Sequence, residues 1–96
     1  MKHINIQVIG KVQGVFYRAA TKTAAEQIGV KGFVKNMEDG SVYIEAEGTD
    51  GQLQQLVDWC HKGPERAEVL LVKTSSGSLQ NFKTFEVVKK SIFGSD

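Results

Sequence analysis

The hydrophobic pattern changes its period within the first thirty residues. Residues 4–9 alternate between apolar and mostly polar side chains, which predicts a half-buried β-strand. Apolar or small side chains then recur every four residues, at Phe16, Ala20, Ala24 and Ile28. That period predicts one face of an α-helix, and Gly29 is suited to end the helix in a left-handed cap.

Two more strands and a second helix follow. Stretches 30–36 and 41–48 have strand patterns, and the pair Asp39-Gly40 between them favours a hairpin turn. Thr49 and Gln52 fit a capping box, which predicts a helix start. The apolar stripe expected along that helix consists of Leu53, Leu56, Val57 and Cys60.

The last third of the chain completes the order of elements. Segments 66–74 and 83–89 read as strands, with a Ser- and Gly-rich loop at 75–81 between them. Strand, helix, strand, strand, helix, strand and a short extra strand make a split β-α-β arrangement. We therefore predict an α+β, ferredoxin-like sandwich, with two helices on one face of a mainly antiparallel sheet. The 96 residues are enough for one domain, expected over 1–96.

Composition and charge exclude several classes of protein. The formal net charge of +1 provides no general basic field for nucleic acid, and no stretch approaches the roughly 18 apolar residues of a membrane span. The single cysteine, Cys60, excludes an intramolecular disulfide and favours a reducing compartment. We expect a cytoplasmic monomer with neither nucleic acid nor membrane as a partner.

The segment GKVQGVFYR, residues 10–18, joins the first strand to the first helix. The N-terminus of a helix has unpaired N–H groups and a partial positive charge. Gly14 lets the backbone bend and approach a ligand closely, and the guanidinium of Arg18 can hold two oxygens of a phosphate. These features are compatible with an anion site. A turn-shaping glycine and a solvated arginine explain the same residues, and neither a Walker motif nor a GxGxxG fingerprint is present.

Other polar residues carry weaker signals. Asn36 ends a strand beside the hairpin, where asparagine either favours the turn or orients a polar group near the loop. His3, on the polar side of the first strand, and His61, beside a helix end, lack metal-ligand spacing. Glu45 and Glu47 are expected to be solvated on an outward strand face. Cys60, on the apolar stripe, is expected to be an inert core thiol.

Two segments resemble the signatures of the acylphosphatase family. GKVQGVFYR is similar to the family's G-x-V-Q-G-V-x-[FY]-R loop, and GFVKNMEDGSVYIEAEG (32–48) is similar to its G-[FYW]-[AVCK]-x-N-x3-G-x-V-x5-G pattern. The resemblance implies the ferredoxin-like fold already predicted. It also implies hydrolysis of an acyl phosphate to a carboxylate and inorganic phosphate, without cofactor or metal.

The resemblance further implies roles for particular residues. Arg18 matches the phosphate-binding arginine, and Asn36 matches the asparagine that holds the attacking water. The backbone that matches the family's phosphate cradle comprises Gln13, Gly14, Val15, Phe16, Tyr17 and Arg18. Inorganic phosphate is then expected as product and inhibitor. The tail 90–96 receives no role.

Two other functions stay open on the sequence. Ferredoxin-like sheets bind RNA through aromatic side chains on strand faces, and Phe33, Tyr43 and Phe85 are candidates here. The near-neutral charge and the missing RNP-type pattern argue against this function. The second is an accessory domain, because acylphosphatase-like domains also occur within larger carbamoyl-transfer proteins. The length of the chain argues against that, and the residues indicate no pocket that selects an acyl group.

Overall fold

A computed structural model describes residues 1–89, and their secondary structure follows the predicted order. The elements are β1 (Lys2–Lys11), α1 (Tyr17–Ile28), β2 (Lys31–Asn36), β3 (Val42–Gly48), α2 (Asp50–Lys62), β4 (Glu68–Gly77) and β5 (Phe85–Val88). The strands form a sheet in the order β4-β1-β3-β2-β5. The β2–β5 pair is parallel and the other three pairs are antiparallel. With α1 and α2 in contact with each other and with the sheet, the ferredoxin-like prediction is confirmed.

The core lies between the sheet and the two helices. Alternate residues of the central strands are fully buried, namely Ile6, Val8, Val34, Val42, Ile44 and Ala46. The predicted stripe of α2 packs against them through Leu53, Leu56 and Cys60, with Val57 partly buried beside it. Phe85 also joins the core and is only 2% exposed, so its assignment to an exposed RNA-binding face was wrong.

The predicted signals at the helix ends are confirmed. Thr49 Oγ1 accepts from the backbone N–H of Gln52, and the Gln52 side chain accepts from the N–H of Thr49, which completes the capping box. Gly29 ends α1 with a φ of 100°. Among residues 1–89, no helix is long and apolar enough to cross a membrane. The tail 90–96 lies outside the described residues.

The predicted face of α1 is confirmed at Ala24, which is buried, and at Ile28, which packs against the core, but it differs at the start of the helix. Phe16 is exposed, and the buried residues of the helix are Tyr17, Thr21, Ala24 and Ala25. Phe16 has a left-handed φ of 62° and precedes the helix, so the first helical side chain to point inward is Tyr17. Its hydroxyl donates a 2.8 Å hydrogen bond to the carbonyl of Cys60. That carbonyl lies in the last turn of α2, where carbonyls lack intrahelical partners, so Tyr17 joins the start of α1 to the end of α2.

Strand β4 extends into the segment predicted as a loop. Ser75, Ser76 and Gly77 pair with Asn5, Ile4 and His3 of β1. Because β1 begins already at Lys2, its backbone groups provide partners for these residues, and that pairing outweighs their turn-like composition. A Cβ on Gly77 would lie 2.7 Å from the His3 ring, so glycine leaves room for that side chain.

The expectation that Glu47 is solvated on an outward strand face is wrong, because His3 and Glu47 are both buried. They are 6% and 3% exposed, and His3 Nδ1 donates a 2.7 Å hydrogen bond to Glu47 Oε2. Glu47 also accepts from the backbone N–H groups of Gln80 and Phe82. The pair therefore fastens the segment between β4 and β5 to the sheet.

Candidate active site

A cleft of about 610 Å³ opens where the β1–α1 loop and α1 meet the ends of β2 and β5. Arg18 and Asn36, the two residues matched to catalytic positions of the family, both line it. They are 18 positions apart in sequence and come from different elements, α1 and the last residue of β2. The fold therefore brings the predicted arginine and asparagine to one site.

The loop of the cleft contains two left-handed residues two positions apart. Gly14 has a φ of 73° and Phe16 a φ of 62°. Alternation of this kind directs successive N–H groups toward one concave side, which suits an anion. A Cβ on Gly14 would meet nothing within 4 Å, so the backbone angle rather than lack of space favours glycine there. The buried side chains of Val12 and Val15 anchor the loop to the core.

The side chain of Gln13 connects this loop to the β2–β3 hairpin. Its Nε2 donates hydrogen bonds to the carbonyls of Met37 and Ser41, both at 2.8 Å. Met37 directly follows Asn36, and its own N–H donates to the Ser41 carbonyl at 2.8 Å. Gln13 therefore contributes its backbone to the loop and uses its side chain to hold the loop against the strand end that carries Asn36.

Arg18 lies in the first turn of α1, beside the helix N-terminus. Its Nη1 donates a 3.2 Å hydrogen bond to the carbonyl of Val88, the last residue of β5, which orients the guanidinium. Lys22 follows one turn later, and Lys89 and Glu86 reach the cleft from the side of β5. The described lining residues therefore include three cationic side chains and one carboxylate, and the net positive charge of this set favours an anionic ligand.

Asn36 brings an unusual polar atom to the cleft. Its Oδ1 is buried and has no hydrogen-bond partner among residues 1–89. A buried acceptor without a partner costs about 1–3 kcal/mol, and such groups call for a functional or structural explanation. A donor from a ligand or from water would satisfy it.

Sequence reasoning missed several residues of the cleft. The sequence could have indicated Lys22, because a residue four positions after Arg18 lies on the same face of the helix. Glu86 and Lys89 had no such signal, because only the parallel pairing of β5 with β2 brings them to Asn36. The partners of Gln13 are backbone carbonyls, which exist at every residue and leave no mark in the sequence.

Cys60 is outside the cleft lining and is fully buried. Its burial raises the pKa of the thiol to about 12, so the prediction of an inert core thiol agrees with the structure. In the part of the chain that the structure describes, no group of three or more His, Cys, Asp or Glu side chains is placed to hold a metal ion.

A sequence model of the acylphosphatase family matches residues 4–87. The chain belongs to the acylphosphatase family. Acylphosphatase from Marinobacter nauticus is 54% identical over 65 residues, which cover 68% of this chain and 71% of that protein. The crystal structure of acylphosphatase from Bacillus subtilis has a TM-score of 0.89 at 34% identity, covering 92% of this chain and 99% of that one. These similarities confirm the resemblance drawn from the two motifs and the prediction of an acylphosphatase enzyme.

The same fold also occurs as part of a larger protein. The crystal structure of HypF from T. kodakarensis has a TM-score of 0.77 at 26% identity. The similarity covers 96% of this chain but only 12% of HypF. By contrast, the two acylphosphatases above match this chain over most of their own lengths.

Proposed function

We propose that the protein hydrolyses the carboxyl–phosphate bond of acyl phosphates to a carboxylate and inorganic phosphate. In this proposal Arg18 and the backbone of residues 13–18 bind the phosphate, and Asn36 holds the water that attacks phosphorus in line. The main support for this proposal is that Arg18 and Asn36 line the same cleft. Membership of the acylphosphatase family supports the type of reaction.

The phosphate would bind where three kinds of positive potential converge. The guanidinium of Arg18 makes paired contacts to two phosphate oxygens, which a planar fork of donors allows. The first N–H groups of α1 and the loop with left-handed Gly14 and Phe16 supply backbone donors. Val15 and Tyr17 act through their backbone, since their side chains are buried. These donors stabilise charge on the equatorial oxygens in the transition state.

The attacking water would bind at the opposite side of the phosphate. Asn36 lines the cleft, and its Oδ1, which lacks a hydrogen-bond partner among the described residues, is the acceptor that this water would use once the side chain turns toward the cleft. Fixing the water in line with the leaving oxygen replaces a bimolecular encounter with an oriented one, which lowers the entropic part of the barrier. The water's proton passes to a phosphate oxygen of the substrate.

The leaving group explains why so few residues suffice. The bond between phosphorus and the bridging oxygen breaks, and the oxygen leaves as part of a carboxylate whose acid has a pKa of about 4. Such a group departs without a general acid. Phosphoryl transfer has a loose transition state, in which positioning and charge stabilisation provide most of the catalysis. We therefore propose a reaction without metal or cofactor, carried out by a cytoplasmic monomer.

Phosphate release from acetyl phosphate by the purified protein tests the proposal. We expect turnover that persists with a chelator present, and competitive inhibition by inorganic phosphate, because the product shares the anionic group that the loop binds. Phosphate binding without turnover would instead indicate an accessory domain, the function that the likeness to part of HypF favours. If the protein showed no turnover and bound no phosphate, both functions would be contradicted.

A further inference from the structure

Phe16 combines two features that folding alone does not account for. Its side chain is 80% exposed, and its backbone has a left-handed φ of 62°. A side chain with a Cβ is strained in this conformation, and glycine or asparagine adopts it at lower cost. Phe16 is absent from the hydrophobic core, so burial of its ring does not offset that strain. Strained residues of this kind concentrate at functional sites.

The position of Phe16 indicates what its ring could contact. It lines the same cleft as Arg18 and directly precedes α1, so its backbone belongs to the proposed phosphate loop. A phosphate held by that backbone has its acyl group directed away from the loop, toward the open side of the cleft. Phe16 is the large exposed apolar residue that the described loop contributes to the cleft lining, so its ring is available to an acyl group there.

We propose that Phe16 is a specificity-determining residue whose ring contacts the acyl group and favours aromatic acyl phosphates over small ones. This inference rests on the proposed hydrolysis of acyl phosphates. Contact between two rings removes apolar area from water and adds the favourable electrostatics of an aromatic pair. The cations Lys22 and Lys89 also line the cleft, and their charge complements the phosphate whatever acyl group it carries.

The test compares benzoyl phosphate with acetyl phosphate, which share the reacting group and differ in the acyl part. We expect the ratio of kcat/KM for benzoyl over acetyl phosphate to fall by about 2- to 10-fold in Phe16→Ala, the range for one aromatic pair. Phe16→Tyr keeps a ring and should preserve the ratio. Phe16→Asn suits the left-handed backbone and lacks a ring, so it should lower the ratio as Phe16→Ala does.

Leu70→Ala is the matched control. Leu70 is also 80% exposed but lies on β4, outside the cleft lining, so its removal should leave the ratio unchanged. If Phe16→Ala and Phe16→Asn slow both substrates equally, Phe16 shapes the loop only, and the specificity role is wrong while the proposed hydrolysis stands. If the unaltered protein releases phosphate from neither substrate, the proposed function and this inference fall together.

Discussion

The side-chain amide of Gln13 donates a 2.8 Å hydrogen bond to the carbonyl of Met37, across 24 positions of sequence. The same nitrogen contacts the carbonyl of Ser41, so it spans both sides of the hairpin turn. Asn36 directly precedes Met37, whereas Gly14 directly follows Gln13. One side chain thus connects the proposed phosphate loop to the strand end that carries the proposed water-holding residue.

We expect Gln13→Met to lower kcat by about 10- to 100-fold, because small displacements of reacting groups have effects of that order. Methionine keeps an unbranched chain but lacks both hydrogen bonds. The inhibition constant for phosphate should change less, since the backbone donors of the loop remain.

Gln7→Met is the matched control for Gln13. Gln7 contacts the same hairpin through longer bonds to side chains, 3.3 Å to Ser41 and 3.4 Å to Asp39. Steady-state kinetics on acetyl phosphate should show a much smaller effect. Equal kcat values for the two variants would show that Gln13 does not position the site.

Arg18→Ala should both weaken phosphate inhibition and lower kcat, because the proposed role of Arg18 is to contact the phosphate in the ground state and in the transition state. Arg18→Lys should recover little of the phosphate affinity and of kcat, since the point charge of lysine cannot make the paired contact. Lys22→Ala removes a neighbouring cation of the same cleft and should have a smaller effect on both constants. A comparable loss in Lys22→Ala would mean that overall charge rather than the geometry of the guanidinium binds the phosphate.

Asn36→Ala should lower kcat by on the order of 100-fold or more while phosphate affinity is nearly kept, because Asn36 is assigned to the water. The measurements are kcat and the phosphate inhibition constant, with circular dichroism to confirm folding. If phosphate affinity fell as far as in Arg18→Ala, or kcat stayed near normal, the water-holding role would be wrong.

Gly14→Val should weaken phosphate binding through its effect on the backbone. The φ of 73° is unfavourable for a β-branched residue, although a Cβ there meets nothing within 4 Å. Gly40→Val is the control, because Gly40 also has a positive φ, 92°, and open space, but lies outside the cleft lining. In a phosphate titration only Gly14→Val should lose affinity for phosphate. Equal losses in the two variants would show that the loop around Gly14 is not the phosphate-binding loop.

The His3–Glu47 pair should make the free energy of unfolding depend on pH. Burial disfavours the charged imidazolium, but hydrogen bonds to Glu47 and Asn5 and the charges of Glu45 and Glu47 raise the pKa of His3 above its ordinary 6.5. Burial opposes ionisation of Glu47 as well, yet its N–H partners and His3 lower its pKa below its ordinary 4.5.

The sign of the effect follows from these directions. The raised pKa of His3 stabilises the fold below about pH 6.5, and this is lost as the pH rises through the raised value. The lowered pKa of Glu47 stabilises the fold above about pH 4.5 and is lost toward acid. The pair therefore contributes most between these values.

Urea unfolding of the unaltered protein and His3→Gln measures this contribution. The stability difference between the two should be larger near pH 5.5 than near pH 9. His61→Gln is the matched control for the exchange of a histidine for a glutamine, because His61 lies at an exposed position on α2. A His3→Gln difference that stays constant with pH would contradict the titration of the pair.

The periodic segments were predictable because their pattern is local. Alternation in 4–9, the stripe on α2, the capping box at Thr49 and the turn at Asp39-Gly40 each depend on residues within a few positions, and the element order followed from them. The predicted face of α1 was wrong at its first position, because Phe16 is left-handed and precedes the helix, so that Tyr17 is the first buried side chain. Arg18 and Asn36 were identifiable because two long motifs of the family contain them.

By itself, the sequence determined the order of helices and strands, the family signatures and the two side chains proposed for the chemistry. Only the tertiary structure decided that β4 continues through residues 75–77, that His3 and Glu47 are buried together, and that Gln13 spans the hairpin. These features arise from pairing between residues far apart in the chain. Their partners are backbone groups or opposed side chains, and which of these meet depends on strand register, which no local period specifies.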